Sequence, residues 1–150
     1  MNHPLLTGLA VLLVASCHSS TGVPVQDLDA IRVAVRVDPT TVANGTTASV
    51  VVTMTNTVSR ALEISACPIY FWVQGDKGQI VGGSDLLYCI AGGFAYQPLV
   101  LKPFETKTMA FSWLAGETVV IPPGQYDVFG WVNDPAHRSA PARITVQSAN

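Results

Sequence analysis

The sequence predicts an all-β domain, an antiparallel β-sandwich of about seven to nine short strands. Three observations point there. Beyond residue 30, apolar side chains recur at every second position, the period of a strand with one face buried. Turn formers such as Asp38-Pro39, Asn44-Gly45 and Gly75-Asp76-Lys77-Gly78 interrupt these runs at short intervals. No stretch after the first twenty or so residues keeps the 3.6-residue period that a helix needs.

Taken in order, Ile31, Val33, Val35 and Val37 point one way while Arg32, Ala34 and Arg36 point the other, and Asp38-Pro39 ends the run. Asn44-Gly45 marks a turn before the β-rich segment Ser49 to Thr55. Asn56 to Arg60 is a polar break, after which Leu62, Ile64 and Ala66 alternate up to Cys67-Pro68. Ile69 to Gln74 and Gln79-Ile80-Val81 flank the Gly-bounded segment 75–78, which predicts a hairpin. Gly82 to Pro98 is richer in glycine and reads as a long connection carrying Cys89. Phe104 to Trp113 alternates with Met109, Phe111 and Trp113 in phase. Ile121-Pro122-Pro123-Gly124 predicts a turn, Tyr126 to Val132 a strand, Asp134 to Ala140 a loop, and Ala142 to Gln147 the closing strand.

A tyrosine entering a strand directly after a tight turn, as Tyr126 does, matches the tyrosine corner of immunoglobulin-like folds. There the phenol bonds back to upstream backbone while the ring packs inside. The expected architecture is therefore an immunoglobulin-like Greek-key sandwich, with Tyr126, Val128, Gly130 and Val132 facing inward.

The N-terminus carries a different signal. Leu5 to Val14 is almost wholly apolar but only about ten residues long, too short to span a bilayer and suited to a signal-peptide core. Val14-Ala15-Ser16-Cys17 follows it, and small residues before a cysteine resemble the lipobox of bacterial lipoproteins. That resemblance implies a diacylglycerol on the Cys17 thiol, cleavage before Cys17, and a stable membrane anchor from two or more acyl chains. Ordinary secretory cleavage, leaving Cys17 as a free thiol, is the alternative, and no Lys or Arg precedes Cys17. The expected division is a signal peptide over residues 1–16, a flexible tether over 17–30 and the folded domain over 31–147. The expected location is extracytoplasmic, with His18 compatible with the outer membrane if the host has one.

Charged residues make up only 12% of the chain and the net charge is −2, with no Lys/Arg cluster. This argues against nucleic acid as a partner and leaves the lipid as the expected membrane contact. Three cysteines are present, and an odd cysteine in an exported protein needs an explanation. Giving Cys17 to lipid leaves Cys67 and Cys89 as an even pair, expected as a disulfide closing a loop of about 22 residues worth roughly 3 kcal/mol. Metal ligation by the pair needs further soft or imidazole ligands, and His137 is the one histidine after residue 18.

Catalysis has little to build on. A single histidine in the domain, no nucleophile-elbow sequence and scattered acids (Asp76, Asp85, Glu105, Glu117, Asp127, Asp134) do not make a nucleophilic or paired acid–base set. No catalytic residue, metal or cofactor is expected. Met54 and Met109 read as core filling.

Residues 31–147 carry a family likeness. Thr55-Asn56-Thr57, Ile69 to Val73, Asp76 to Val81, Leu101-Lys102-Pro103-Phe104-Glu105-Thr106, Trp113 and Pro123 to Val128 occur in an order that resembles the intracellular proteinase inhibitor (BsuPI-type) domain. Phe104 stands where that likeness places glycine in a Leu-x-Pro-Gly-Glu turn. The resemblance implies an immunoglobulin-like sandwich and inhibition of a proteinase, without supplying a reactive-site residue.

If Tyr126 and Val128 face inward, Phe129 and Trp131 face outward, and Tyr70 and Trp72 do the same on the Ile69 to Gln74 strand. In an immunoglobulin-like order these strands are neighbours, so Tyr70, Trp72, Phe129 and Trp131 are expected to share one apolar patch. The other reading is that Gly82 to Pro98 folds over them, helped by Leu86, Leu87, Phe94 and Tyr96. The chain is thus expected to be a lipid-anchored binding module with a protein partner, a proteinase being the case the resemblance implies. A structural envelope lipoprotein with no proteinase target is the alternative.

Overall fold

The period-two pattern files alternate side chains of each long strand into a shared interior. On β3 (Thr47–Asn56), Ala48, Val50, Val52, Met54 and Asn56 are fully buried while the residues between them are exposed or half-buried. The computed structural model describes residues 27–64, 69–84, 99–117, 120–132 and 134–149. Its other strands are β1 (Ile31–Asp38), β2 (Thr41–Ala43), β4 (Leu62–Ile64), β5 (Ile69–Gln74), β6 (Ile80–Gly83), β7 (Leu99–Leu101), β8 (Thr106–Leu114), β9 (Gly124–Val132), β10 (Asp134–Arg138) and β11 (Ala142–Gln147).

One sheet has the order β1-β3-β8, antiparallel throughout. The other runs β2-β11-β9-β5-β6, with β10 pairing β9, and β4-β7 form a separate short ladder. The chain crosses repeatedly between the two large sheets, with β1, β3 and β8 in one and β2, β5, β6, β9, β10 and β11 in the other, and β2 lies parallel to β11 with Thr41 opposite Thr145. The molecule is an immunoglobulin-like β-sandwich. Tyr126 forms the corner: its hydroxyl donates to the Pro122 carbonyl at 2.7 Å while the residue is buried.

The interior is aliphatic, with Val50, Val52, Val73, Val128, Val132, Ile144 and Val146 essentially without exposure. Phe71 of β5 bridges the layers by packing against Phe111 of β8, ring centres 5.1 Å apart. Gly130 is required by space. A Cβ there would stand 2.7 Å from Val52 Cγ1 and 3.1 Å from Cγ2, so β9 approaches the facing sheet to a distance no side chain allows.

Several elements differ from the sequence expectation. β2 and β7, three residues each, were too short for alternation to reveal, and they owe their pairing to β11 and β4. Residues 134–138, expected as loop, form β10, held by pairing with the end of β9. Met109 keeps its interior phase but is 43% exposed, because β8 is an edge strand whose interior side is only partly covered. The folded unit also takes in residues before Ile31. Leu28–Ala30 form a 3-10 turn with Ala30 buried, and the Asp27 carboxylate pairs with the Arg60 guanidinium.

At this end of the sandwich one side chain fastens two loops. Asn56 is 0% exposed, donates to the carbonyls of Arg60 at 2.8 Å and Lys102 at 2.9 Å, and accepts from the Val58 N–H at 3.0 Å. A longer contact of 3.3 Å reaches the Leu101 carbonyl. The amide therefore uses its donors and its acceptor, as a buried asparagine must.

Candidate recognition face

The inward files of β5 (Ile69, Phe71, Val73) and β9 (Tyr126, Val128, Gly130, Val132) are buried, so parity turns the residues between them to the other side of the sheet. Register then sets them opposite one another. Tyr70 pairs with Trp131 and Trp72 with Phe129 across the β5–β9 ladder. The Tyr70 and Trp131 rings stack with centres 4.4 Å apart and planes at 25°. Trp72 packs against Trp131 at 5.5 Å and Phe129 at 6.3 Å, both tilted. Such pairs each contribute about 0.5–1.5 kcal/mol beyond their burial. The four predicted residues therefore form one contiguous cluster.

Their exposure is unequal. Trp131 is only 9% exposed and forms the floor of the cluster, while Tyr70, Trp72 and Phe129 are half-buried and form its surface. Arg138, opposite Trp131 in register, lays its guanidinium carbon 4.6 Å from the Phe129 ring centre. That cation–π contact, worth about 0.5–1 kcal/mol at an exposed site, borders the face with positive charge. The indole N–H groups of Trp72 and Trp131 are buried and make no hydrogen bond to any described residue. Toward the β5–β6 hairpin the same face turns polar, with Gln74, Gln125 and an Asp127–Arg143 ion pair at 3.6 Å.

The remaining candidates separate from this face. Cys17, Cys67 and Cys89 lie outside the described residues, as do Leu86, Leu87, Phe94 and Tyr96 of the proposed cover. His137, in a segment expected as loop, sits on β10 with Nε2 3.1 Å from Asp29 Oδ1, joining that strand to the 3-10 turn. Tyr126 has its phenol pushed above the usual 10.0, by burial first and then by the Asp76 charge. Among the described residues no group of three or more His, Cys, Asp and Glu side chains is placed to hold a metal ion.

One feature was not anticipated. A cleft of about 540 Å³ at the opposite end of the sandwich is lined by Asn44, Gly45, Val120, Ile121, Pro122 and Pro123 among others. Asn44 Nδ2 donates to the Ile121 carbonyl at 2.7 Å. The turn signals Asn44-Gly45 and Pro122-Pro123 were readable, but nothing local shows that these two turns meet.

No protein-family model and no curated protein matches the chain. Solved structures match it at the level of fold. Spo0M, a sporulation control protein from Bacillus subtilis, is 11% identical with a TM-score of 0.56, over 80% of this chain and 50% of that one. The C-terminal domain of wzt is 8% identical with a TM-score of 0.54, over 81% of this chain and 75% of that one. The Pseudomonas fluorescens alkylpurine DNA glycosylase AlkC, bound to DNA containing an abasic site analog, is 13% identical with a TM-score of 0.54. That match covers 79% of this chain but only 30% of the glycosylase. At such identities the likeness shows the sandwich fold alone.

Proposed function

We propose that this chain is a lipid-anchored, extracytoplasmic, non-catalytic immunoglobulin-like module that binds a protein partner through the Tyr70, Trp72 and Phe129 face. The observation that carries the reading is the contiguous aromatic surface, with Arg138 at its border and two indole donors desolvated without described partners. Aromatic residues and arginine are the side chains that most often dominate interface energy.

The anchor is supported by the apolar run ending at Cys17 and by the cysteine parity it leaves for Cys67 and Cys89. A proteinase is the partner class supported by the resemblance to the BsuPI-type domain. Phe104, at the position where that likeness places glycine, has φ +60°, which is the backbone state glycine favours.

The 9% exposure of Trp131 favours a second reading, a structural envelope lipoprotein whose aromatic cluster serves stability. One experiment separates the two. The purified chain is titrated against subtilisin-like proteinases, beside Tyr70→Ala and Trp72→Ala variants that retain the wild-type melting behaviour. Stoichiometric inhibition that these variants lose supports the recognition face. Cleavage or indifference, with wild type and variants alike, favours the envelope role. Anchoring is tested separately: Cys17→Ala should release the protein from membranes or stop its processing. Partition of the wild type into water, with an unblocked Cys17 amine, would overturn it.

A further inference from the structure

The turn Lys102–Glu105 has Pro103 and Phe104 at its centre. The Glu105 N–H donates to the Lys102 carbonyl at 3.1 Å, and the Lys102 N–H donates to Glu105 Oε2 at 2.7 Å. Phe104 is the one non-glycine residue with positive φ among the described residues. In that region Cβ crowds the backbone, so an aromatic side chain is disfavoured where glycine sits without strain. The ring recovers little inside the chain, since Phe104 is 65% exposed. A bulky apolar residue held in an unfavourable state and left in water points to a contact outside the fold.

The chain enters the sandwich close to this turn. The Asn56 N–H donates to the Glu105 carbonyl at 2.9 Å, and the N–H and hydroxyl of Thr57 both donate to the Ala30 carbonyl at 2.8 Å. Arg60 pairs with Asp27. The Phe104 turn therefore shares one end of the sandwich with the point where the chain enters it. Asp27 follows Cys17 by ten positions (27 − 17), which reach at most about 35 Å even fully extended.

We propose that this end of the domain docks on the bilayer, with Phe104 and Pro103 in the headgroup–acyl boundary and Lys102 at headgroup level. The inference rests on the reading of Cys17 as lipidated. An aromatic ring beside a long basic side chain is what an interface takes up, the ring at its apolar edge and the cation reaching the polar one. One ring would bind free membrane weakly. A lipid tether makes the contact intramolecular, so its effective concentration replaces affinity.

The test uses the full chain, wild type and Phe104→Trp, purified from membranes and returned to phosphatidylethanolamine–phosphatidylglycerol vesicles with or without acyl-chain bromines. The emission that the substitution adds over wild type should shift to the blue on the vesicles and be strongly quenched by the bromines. Added emission that stays red and unquenched, on protein that floats with the vesicles, overturns the docking while leaving the anchor intact. Added emission already blue-shifted without vesicles also overturns it, in favour of a protein cover. Failure to float together with an unmodified Cys17 mass overturns the anchor, and the docking falls with it.

Discussion

Asn56 is the residue whose removal the structure costs most directly. Its amide donates to carbonyls on two different loops, at Arg60 and Lys102, and its oxygen accepts from Val58. Asn56→Ala deletes three good hydrogen bonds at a fully buried position and leaves one N–H and two carbonyls searching for partners. At about 1 kcal/mol per bond, and more for each group left dry, the loss should be about 3–4 kcal/mol. For a domain of this size that lowers Tm by about 10–15 °C. Asn56→Asp is the sharper probe, because it keeps shape and the Val58 bond but sets a carboxylate against carbonyl oxygens. Burial and those oxygens raise its folded pKa above the unfolded value, so the stability of this variant should fall as pH rises through the carboxylate range. Urea melts across pH, with amide exchange at Val58, measure both effects. A loss below about 1 kcal/mol for Asn56→Ala, or a pH-independent Asn56→Asp, would refute the view that one amide fastens both loops.

The other predictions concern the corner, the aromatic floor and the tight glycine. Tyr126→Phe should lose about 1–1.5 kcal/mol by orphaning the Pro122 carbonyl. The wild type should also lose stability as pH rises from about 10, because the unfolded tyrosine ionises before the buried one, and alkaline melts of Tyr126→Phe should lack that slope. Trp131→Ala should open a cavity under Tyr70 and Trp72 and lose about 3–5 kcal/mol in denaturant melts, whereas an unchanged stability would show the ring to be a bare surface group. Gly130→Ala should lose about 1–3 kcal/mol through the clash with Val52, with Val52→Ala in the same chain recovering part of it.

Where side chains alternate over five or more residues, burial on one face writes the strand into the sequence, and β1, β3, β5, β9 and β11 lie where the pattern placed them. The aromatic cluster was legible for the same reason. Two parity assignments, on β5 and β9, and one topological neighbour relation put Tyr70, Trp72, Phe129 and Trp131 together. What parity cannot give is depth. That Trp131 is the floor and Tyr70 its lid depends on ring stacking across strands, which no single-strand pattern encodes. β10 was missed because its order comes from pairing with β9 rather than from its own residues. Asn56 read as part of a polar break, since the carbonyls it holds lie 4 and 46 positions away.

Phe104 and the aromatic face lie toward the same end of the domain, yet the two proposed contacts are separable. β9 runs toward the chain-entry end, where His137 of the adjoining β10 meets Asp29, so Trp131 lies nearer that end than Phe129 does. The Phe104 turn belongs instead to the loops joined through Asn56, at the start of β8 in the opposite sheet. Phe104→Gly should relieve about 1–2 kcal/mol of left-handed strain and lose up to about 1 kcal/mol to the freer unfolded chain, leaving stability unchanged or slightly raised. It should abolish the bilayer contact and leave partner capture intact. Trp72→Ala should do the converse. Melting curves of Phe104→Gly settle the premise before any membrane is added: a clear loss of stability would mean that the ring packs within the chain and has no need of a surface outside it.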